Sequence, residues 1–194
     1  MTSARKTDLA ALGLINWRPM HGYALTRAYE ELGLEHWTAI SRSAIYAALR
    51  RLAGKGAVSI ARERAGNAPE RTVYHITDRG REFLHHILRD ALSYVGPEDR
   101  YFYLGVAFAG ALDAREILRR LDVRRERLGR AIEREQESLR ETKRSAPGAA
   151  HLLAMMQAGR RHLEIEVDVC RELARILSED PSYFDHLREM NHDQ

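Results

Sequence analysis

Arg42, Tyr46 and Arg50 recur at i, i+4 and i+8, a spacing that places all three on one face of a helix. Ser43 and Arg51 flank that row. Guanidinium groups donate bidentately to guanine edges or to phosphates, and Ser and Tyr hydroxyls reach phosphate oxygens. A helix N-terminus adds free backbone N–H groups and the positive end of a dipole. A second cationic group, Arg62, Arg64 and Arg71, brackets a turn-rich stretch containing Gly66, Asn67 and Pro69. Either cluster alone is also what a solvated basic face looks like. Two on neighbouring elements point to a polyanion, with nucleic acid foremost.

Other chemistry finds little support. His85 and His86 are sequence neighbours and diverge on a helix, so they do not form the i, i+4 pair a metal would use. His21 and His36 have no Cys or carboxylate at ligand spacing. Cys170 lies at helical spacing with Leu163, Val167, Ala174 and Leu177, which favours packing over a reactive thiol. Neither a phosphate-cradling Gly loop nor a nucleophile elbow is found, so no enzyme, metal or cofactor is expected.

The elements that must carry the cationic groups are legible from periodicity. Leu9, Leu12, Leu14 and Ile15 fit a helix ended by Pro19, and a second helix runs from His21 to Leu32 before Gly33. Ile45, Ala48, Leu49 and Leu52 fall at i, i+3, i+4 and i+7 and predict a third helix over 41–53, capped by Ser41 or Ser43. Alternation then takes over at Val58 and Ile60 and again at Tyr74 and Ile76, predicting a β-hairpin whose tip holds the second Arg group. Thr77 caps a fourth helix bearing Phe83, Leu84, Ile87, Leu88 and Leu92. Tyr46 faces either the wing or an external ligand on this reading. Met20, Tyr23 and Leu25 read as core.

Gly96-Pro97 is the expected boundary between residues 1–96 and 97–194. Beyond it Tyr101–Gly110 is apolar on nearly all sides. Residues 113–144 carry an imperfect heptad seam, with Leu118, Ile132 and Leu139 in one position, Leu121 and Leu128 in another, and Arg125 and Glu135 interrupting. A further helix is expected over 149–177, and Pro181 opens a short last one. The fold class is therefore mainly α, a winged helix-turn-helix followed by an all-helical region. Of the 31 Lys/Arg and 28 Asp/Glu, residues 1–96 hold 14 and 9, leaving +5 there and −2 in the remainder. The longest uncharged runs, Tyr101–Leu112 and Ser145–Gly159, are too short to span a bilayer. With no signal-peptide pattern and a lone Cys170, a cytoplasmic location is expected.

Three segments resemble the PadR family of transcription regulators: Pro19-Met20-His21-Gly22-Tyr23-Ala24-Leu25, Ser41 through Leu52 followed by Lys55-Gly56, and Val73-Tyr74-His75-Ile76-Thr77-Asp78-Arg79-Gly80-Arg81. The resemblance implies a repressor that binds a pseudo-palindromic duplex as a homodimer built by residues 97–194. It also implies release by a small aromatic or drug-like effector, for which Trp17, Trp37, Tyr101, Phe102, Tyr103 and Phe108 are the candidate lining. The expected DNA contacts are Arg42, Ser43, Tyr46, Arg50 and Arg51 on the helix and Arg62, Arg64 and Arg71 on the wing. Glu70 departs from the consecutive basic residues usual in that wing. The competing reading is a winged-helix protein-interaction module without sequence-specific DNA binding.

Overall fold

From Leu9 to Ile15 the first helix, α1 (Thr2–Trp17), has no solvent-facing side. Such a helix must lie between other elements. In the computed structural model, which describes residues 2–63, 71–96, 100–146 and 148–185, those elements are α2 (Gly22–Glu31), α4 (Arg42–Gly54), α5 (Asp78–Leu92), α6 (Arg100–Ala107) and a wing strand. Each fully buried Leu in this set is worth about 1.5–3 kcal/mol relative to exposure, so the core of the unit is organised along α1.

The helix boundaries follow their caps. The His21 imidazole accepts from Ala24 N–H at 3.0 Å to start α2, and Ser41 and Thr77 hydroxyls accept from Ala44 and Gly80 N–H to start α4 and α5. Ile45, Ala48, Leu49 and Leu52 are the buried stripe of α4, as their spacing predicts. Two elements lie beyond the sequence-based reading. A short helix, α3 (Leu34–Thr38), fills the link containing Trp37, entered through Gly33 at φ 64°. A two-residue strand, β1 (Met20–His21), joins the expected hairpin of β2 (Val58–Glu63) and β3 (Arg71–Ile76) in an antiparallel sheet of order β1-β3-β2. Met20 pairs with Tyr74 and Val58 with Ile76. Pro19, with no N–H to donate, precedes the outer strand, where its missing donor does no harm.

Gly56, at φ 69°, turns the chain from α4 into β2. At Gly80 a Cβ would run into the Ala57 carbonyl. The start of α5 therefore sits directly against the entrance to the wing.

The described residues form two compact units, one running to Asp113 and taking in Phe184, the other spanning Ala114–Tyr183. α6 and the 3₁₀ turn Ala109–Ala111 pack within the first unit against α1 and α5. The region after Gly96 thus contributes an element to the core around α1, and Pro97 itself lies outside the described residues. Arg64, Gly66, Asn67, Pro69, Glu70, Pro147 and the chain beyond Asp185 also lie outside them, so of the short last helix expected from Pro181 only its start is described, with 183–185 helical.

The second unit is an antiparallel pair, α7 (Ala114–Ser145) and α8 (Ala150–Glu179). Its buried seam on α7 is Ile117, Leu121, Arg124, Leu128 and Leu139; Leu121, Leu128 and Leu139 are where the heptads expect them, while Ile117 and Arg124 take the places expected of Leu118 and Arg125. Arg125 is exposed on Asp122, whereas Arg124 is 2% exposed and donates to Glu166 of α8. Cys170 is buried one turn beyond Glu166, and burial pushes its thiol pKa up, against the lowering effect of Arg124. That is the environment of a packing residue, not of a thiolate.

Removing one member of a buried ion pair strands the other without water. Glu166→Ala should cost about 3–5 kcal/mol in chemical denaturation, while Arg124→Met/Glu166→Met should recover most of that loss. At the start of α7, hydrogen bonding from Arg119, aided by Arg120, holds the Glu116 carboxyl down to about 2. A depressed carboxylate pKa stabilises the fold above the ordinary value of 4.5 and ceases to do so as pH falls from there towards 2. Glu116→Gln should therefore flatten the acid limb of a stability–pH profile over that interval.

Candidate nucleic-acid interface

With its apolar stripe turned to the core, α4 presents Arg42, Ser43 and Arg50 outward, all exposed, with Tyr46 half-buried between them. The reason Tyr46 sits low is Gly22. A Cβ there would lie 2.5 Å from Tyr46 Cε1, so the ring lies over the first turn of α2 where only glycine leaves room.

The wing faces Tyr46 across a groove of about 690 Å³ lined by His21, Tyr23, Arg27, Tyr46, Arg71 and Tyr74. Arg62 and Arg71 are exposed near the outer ends of β2 and β3, where Arg62 pairs with Thr72 and Glu63 with Arg71 in the ladder. Three tyrosines and two arginines from three elements therefore line a single groove. Sequence reasoning missed Arg27 and Tyr74 and assigned Tyr23 to the core. Tyr23 is in fact 68% exposed and stacks on His21 with ring planes 14° apart. The available signal was the i, i+4 relation of Tyr23 to Arg27, on a face of α2 opposed to buried Leu25 and Tyr29.

The expected contact residues differ in what holds them. Arg51 donates to Asp8 of α1 and is turned inward, unlike its neighbour Arg50, which has no acidic partner among the described residues. Burial raises the Asp8 pKa while the bound Arg51 opposes that rise. This pair is a strut between α1 and α4. Arg42 forms an ion pair with Glu30 of α2, and the Ser43 hydroxyl lies 2.9 Å from that of Ser41. Arg64 lies outside the described residues.

The six aromatic residues proposed to line an effector site do not converge. Tyr101, Phe102 and Phe108 are buried. Tyr101 donates to the Ile87 carbonyl at 3.1 Å and meets Tyr94 edge-on. Phe108 lies against Gly13 and 5.2 Å from Trp17, and Phe102 meets Tyr103 at 5.3 Å. These contacts account for those rings as packing. Trp17 also borders a cavity of about 370 Å³ with Arg18, Met20 and Leu32, while Trp37 is half-buried on α3.

Among the described residues no group of three or more His, Cys, Asp or Glu is arranged to hold a metal. His86 is exposed beside Asp90, 3.8 Å away. No described helix is long and apolar enough to cross a membrane.

Residues 11–86 match the transcriptional regulator PadR-like family. The chain carries a PadR-like segment. It runs from α1 into α5 and contains α4, the described wing strands and the groove between them, and the family is one of regulators and not of enzymes. No curated protein matches the chain. Among solved structures, Bacillus subtilis PadR in complex with operator DNA is 21% identical with TM-score 0.39, covering 86% of this chain and 97% of its own. The same protein in complex with p-coumaric acid is 21% identical with TM-score 0.37, covering 91% and 98%. The PadR-like regulator BC1756 from Bacillus cereus is 19% identical with TM-score 0.37, covering 93% and 98%.

The strut and the outward row predict opposite behaviour for adjacent arginines. Arg51→Ala should lower stability by about 3 kcal/mol by stranding buried Asp8, and the deficit should shrink as pH falls and Asp8 takes up a proton. Arg50→Ala should stay within about 0.5 kcal/mol of the parent. Denaturant titrations at pH 7 and pH 5 measure both.

Proposed function

We propose that this protein is a homodimeric, sequence-specific regulator of transcription that reads double-stranded DNA with α4 and holds the backbone with its wing. The observation that carries the reading is the groove shared by Arg71 of β3 and Tyr46, a residue on the same face of α4 as exposed Arg42 and Arg50. A helix presented by its N-terminal turn offers Arg forks to base edges, whereas cations on a flanking hairpin meet phosphates. Tyr23 and Arg27 add a hydroxyl and a cation on the α2 side of the same groove. PadR from B. subtilis, in complex with operator DNA and with p-coumaric acid, lends this reading analogy.

Support for the second copy comes from α8. Its buried side, including Glu166, Cys170 and Leu177, faces α7, yet Met155 is 70% exposed and Ile165 58% exposed, with Leu152 also open to solvent. These apolar side chains remain in water, and pairing with a second copy would cover them. In a two-fold dimer the α4 helices would meet half-sites about 34–36 Å apart or a multiple of that. An effector-responsive form of the reading keeps Trp17, Trp37 and Tyr103, the half-buried members of the aromatic set, as the candidates open to a ligand. A cytoplasmic location and repression as the sign of regulation belong to the same proposal.

Selection of duplexes from a random pool should return a pseudo-palindrome. Arg42→Ala and Arg50→Ala should each lose about 1–3 kcal/mol of discrimination at a defined base pair. Arg62→Ala and Arg71→Ala should weaken all duplexes and each reduce the salt slope by about 1. A parent protein that binds no duplex in a salt-dependent way would instead favour the protein-interaction module.

A further inference from the structure

Glu30 is a carboxylate placed where a DNA-reading surface should least want one. It lies at the C-terminal end of α2, is 26% exposed, and forms an ion pair through Oε1 with Nε of Arg42, the first residue of α4. Oε1 itself is closed to solvent and accepts no hydrogen bond, so its contact with Arg42 is an ion pair, and Arg42 is the only ion-pair partner of Glu30 among the described residues. The Arg42 side chain is nevertheless 68% exposed. One edge of the guanidinium is therefore occupied while the rest of it remains open.

We propose that Glu30 is a positioning residue that makes Arg42 a reader of base edges and not a phosphate clamp. This inference rests on the DNA-reading role of α4 proposed above. An ion pair on the Nε side leaves the two terminal nitrogens on the other edge, side by side and planar, the fork that fits guanine O6 and N7. Pinning also removes rotamer freedom that an exposed arginine would otherwise lose on binding. Charge supplies the discrimination. A phosphate approaching Arg42 meets the neighbouring carboxylate as a like charge, whereas guanine O6 and N7 are neutral acceptors and pay far less for that neighbour. Arg71 has no such acidic side-chain partner among the described residues, as suits a phosphate contact. Arg50 lies two turns further along α4 and also lacks one, so Glu30 distinguishes two arginines that the sequence presents as equivalent.

The test uses the full-length protein and the duplex its parent form selects from a random pool. Glu30→Ala, Arg42→Ala and the double variant are titrated at one fixed salt against that duplex. They are also titrated against single-base-pair variants of it and against a scrambled duplex, with thermal unfolding as the check of folding. The expected result is that Glu30→Ala loses about tenfold in selectivity at the base pair where Arg42→Ala loses it. It should bind the scrambled duplex more tightly than the parent, and add no further loss of selectivity on Arg42→Ala. Simple loosening of α2 against α4 would weaken every duplex, and that outcome overturns the proposal. So does a Glu30→Ala variant with parental selectivity alongside an Arg42→Ala variant that has lost it, which leaves the DNA-reading role of α4 intact. If Arg42→Ala changes no base pair, the groove-reading role of α4 and the inference fall together.

Discussion

The structure of the first unit depends on one constraint, that α1 is buried on every side from Leu9 to Ile15. A helix without a solvent face cannot be satisfied by one neighbour, so α2, α4, α5, α6 and a wing strand assemble around it. The Asp8–Arg51 pair then ties that core to α4 by a charge interaction whose carboxylate is almost wholly buried. Apolar packing leaves a helix free to slide or roll by small amounts. A buried carboxylate with one guanidinium partner does not, because any roll that parts them exposes an uncompensated charge to the interior. The face that α4 shows to solvent is a consequence of what it is tied to behind.

Acidic partners sort the arginines by task. Arg51 is committed to Asp8 and serves the fold, Arg27 is tied to Glu31 at 2.7 Å within α2, and Arg42 meets Glu30. Arg50 and Arg71 have no acidic side-chain partner among the described residues. A count of basic residues on the surface treats these five alike. Their environments separate structural, held and open cations, and only the last two kinds are available to a polyanion. Tyr46 follows the same logic, since its height on the face is set by the glycine beneath it and not by anything on α4.

In the second unit, a core heptad position held by a charge conceals part of the seam. Ile117, Leu121, Arg124 and Leu128 make a regular 4-3-4 spacing, but Arg124 is the type of residue that periodicity arguments assign to solvent. Reading only the apolar residues puts Leu118 in the place of Ile117 and leaves Arg125 as the interruption. Glu166 on the neighbouring helix makes Arg124 tolerable there, and it lies 42 residues away in the chain.

The sequence by itself determined the order of the main helices and the hairpin, the cap at Thr77, a serine cap for α4, the buried stripe of α4 and the residue types facing away from it. All of these depend on local spacing and local hydrogen bonding. Only the tertiary structure decided that Arg51 turns inward while Arg50 turns out, that Tyr23 is exposed, that β1 joins the wing sheet, and that Tyr46, Arg71 and Arg27 share one groove. These outcomes depend on which side chain from a distant segment is within reach. A residue's charge and spacing do not encode whether Asp8, Glu30 or nothing at all will be waiting opposite it. For the row on α4, the sequence named the chemistry, and the packing of α1 and α2 decided which of its members are open to perform it.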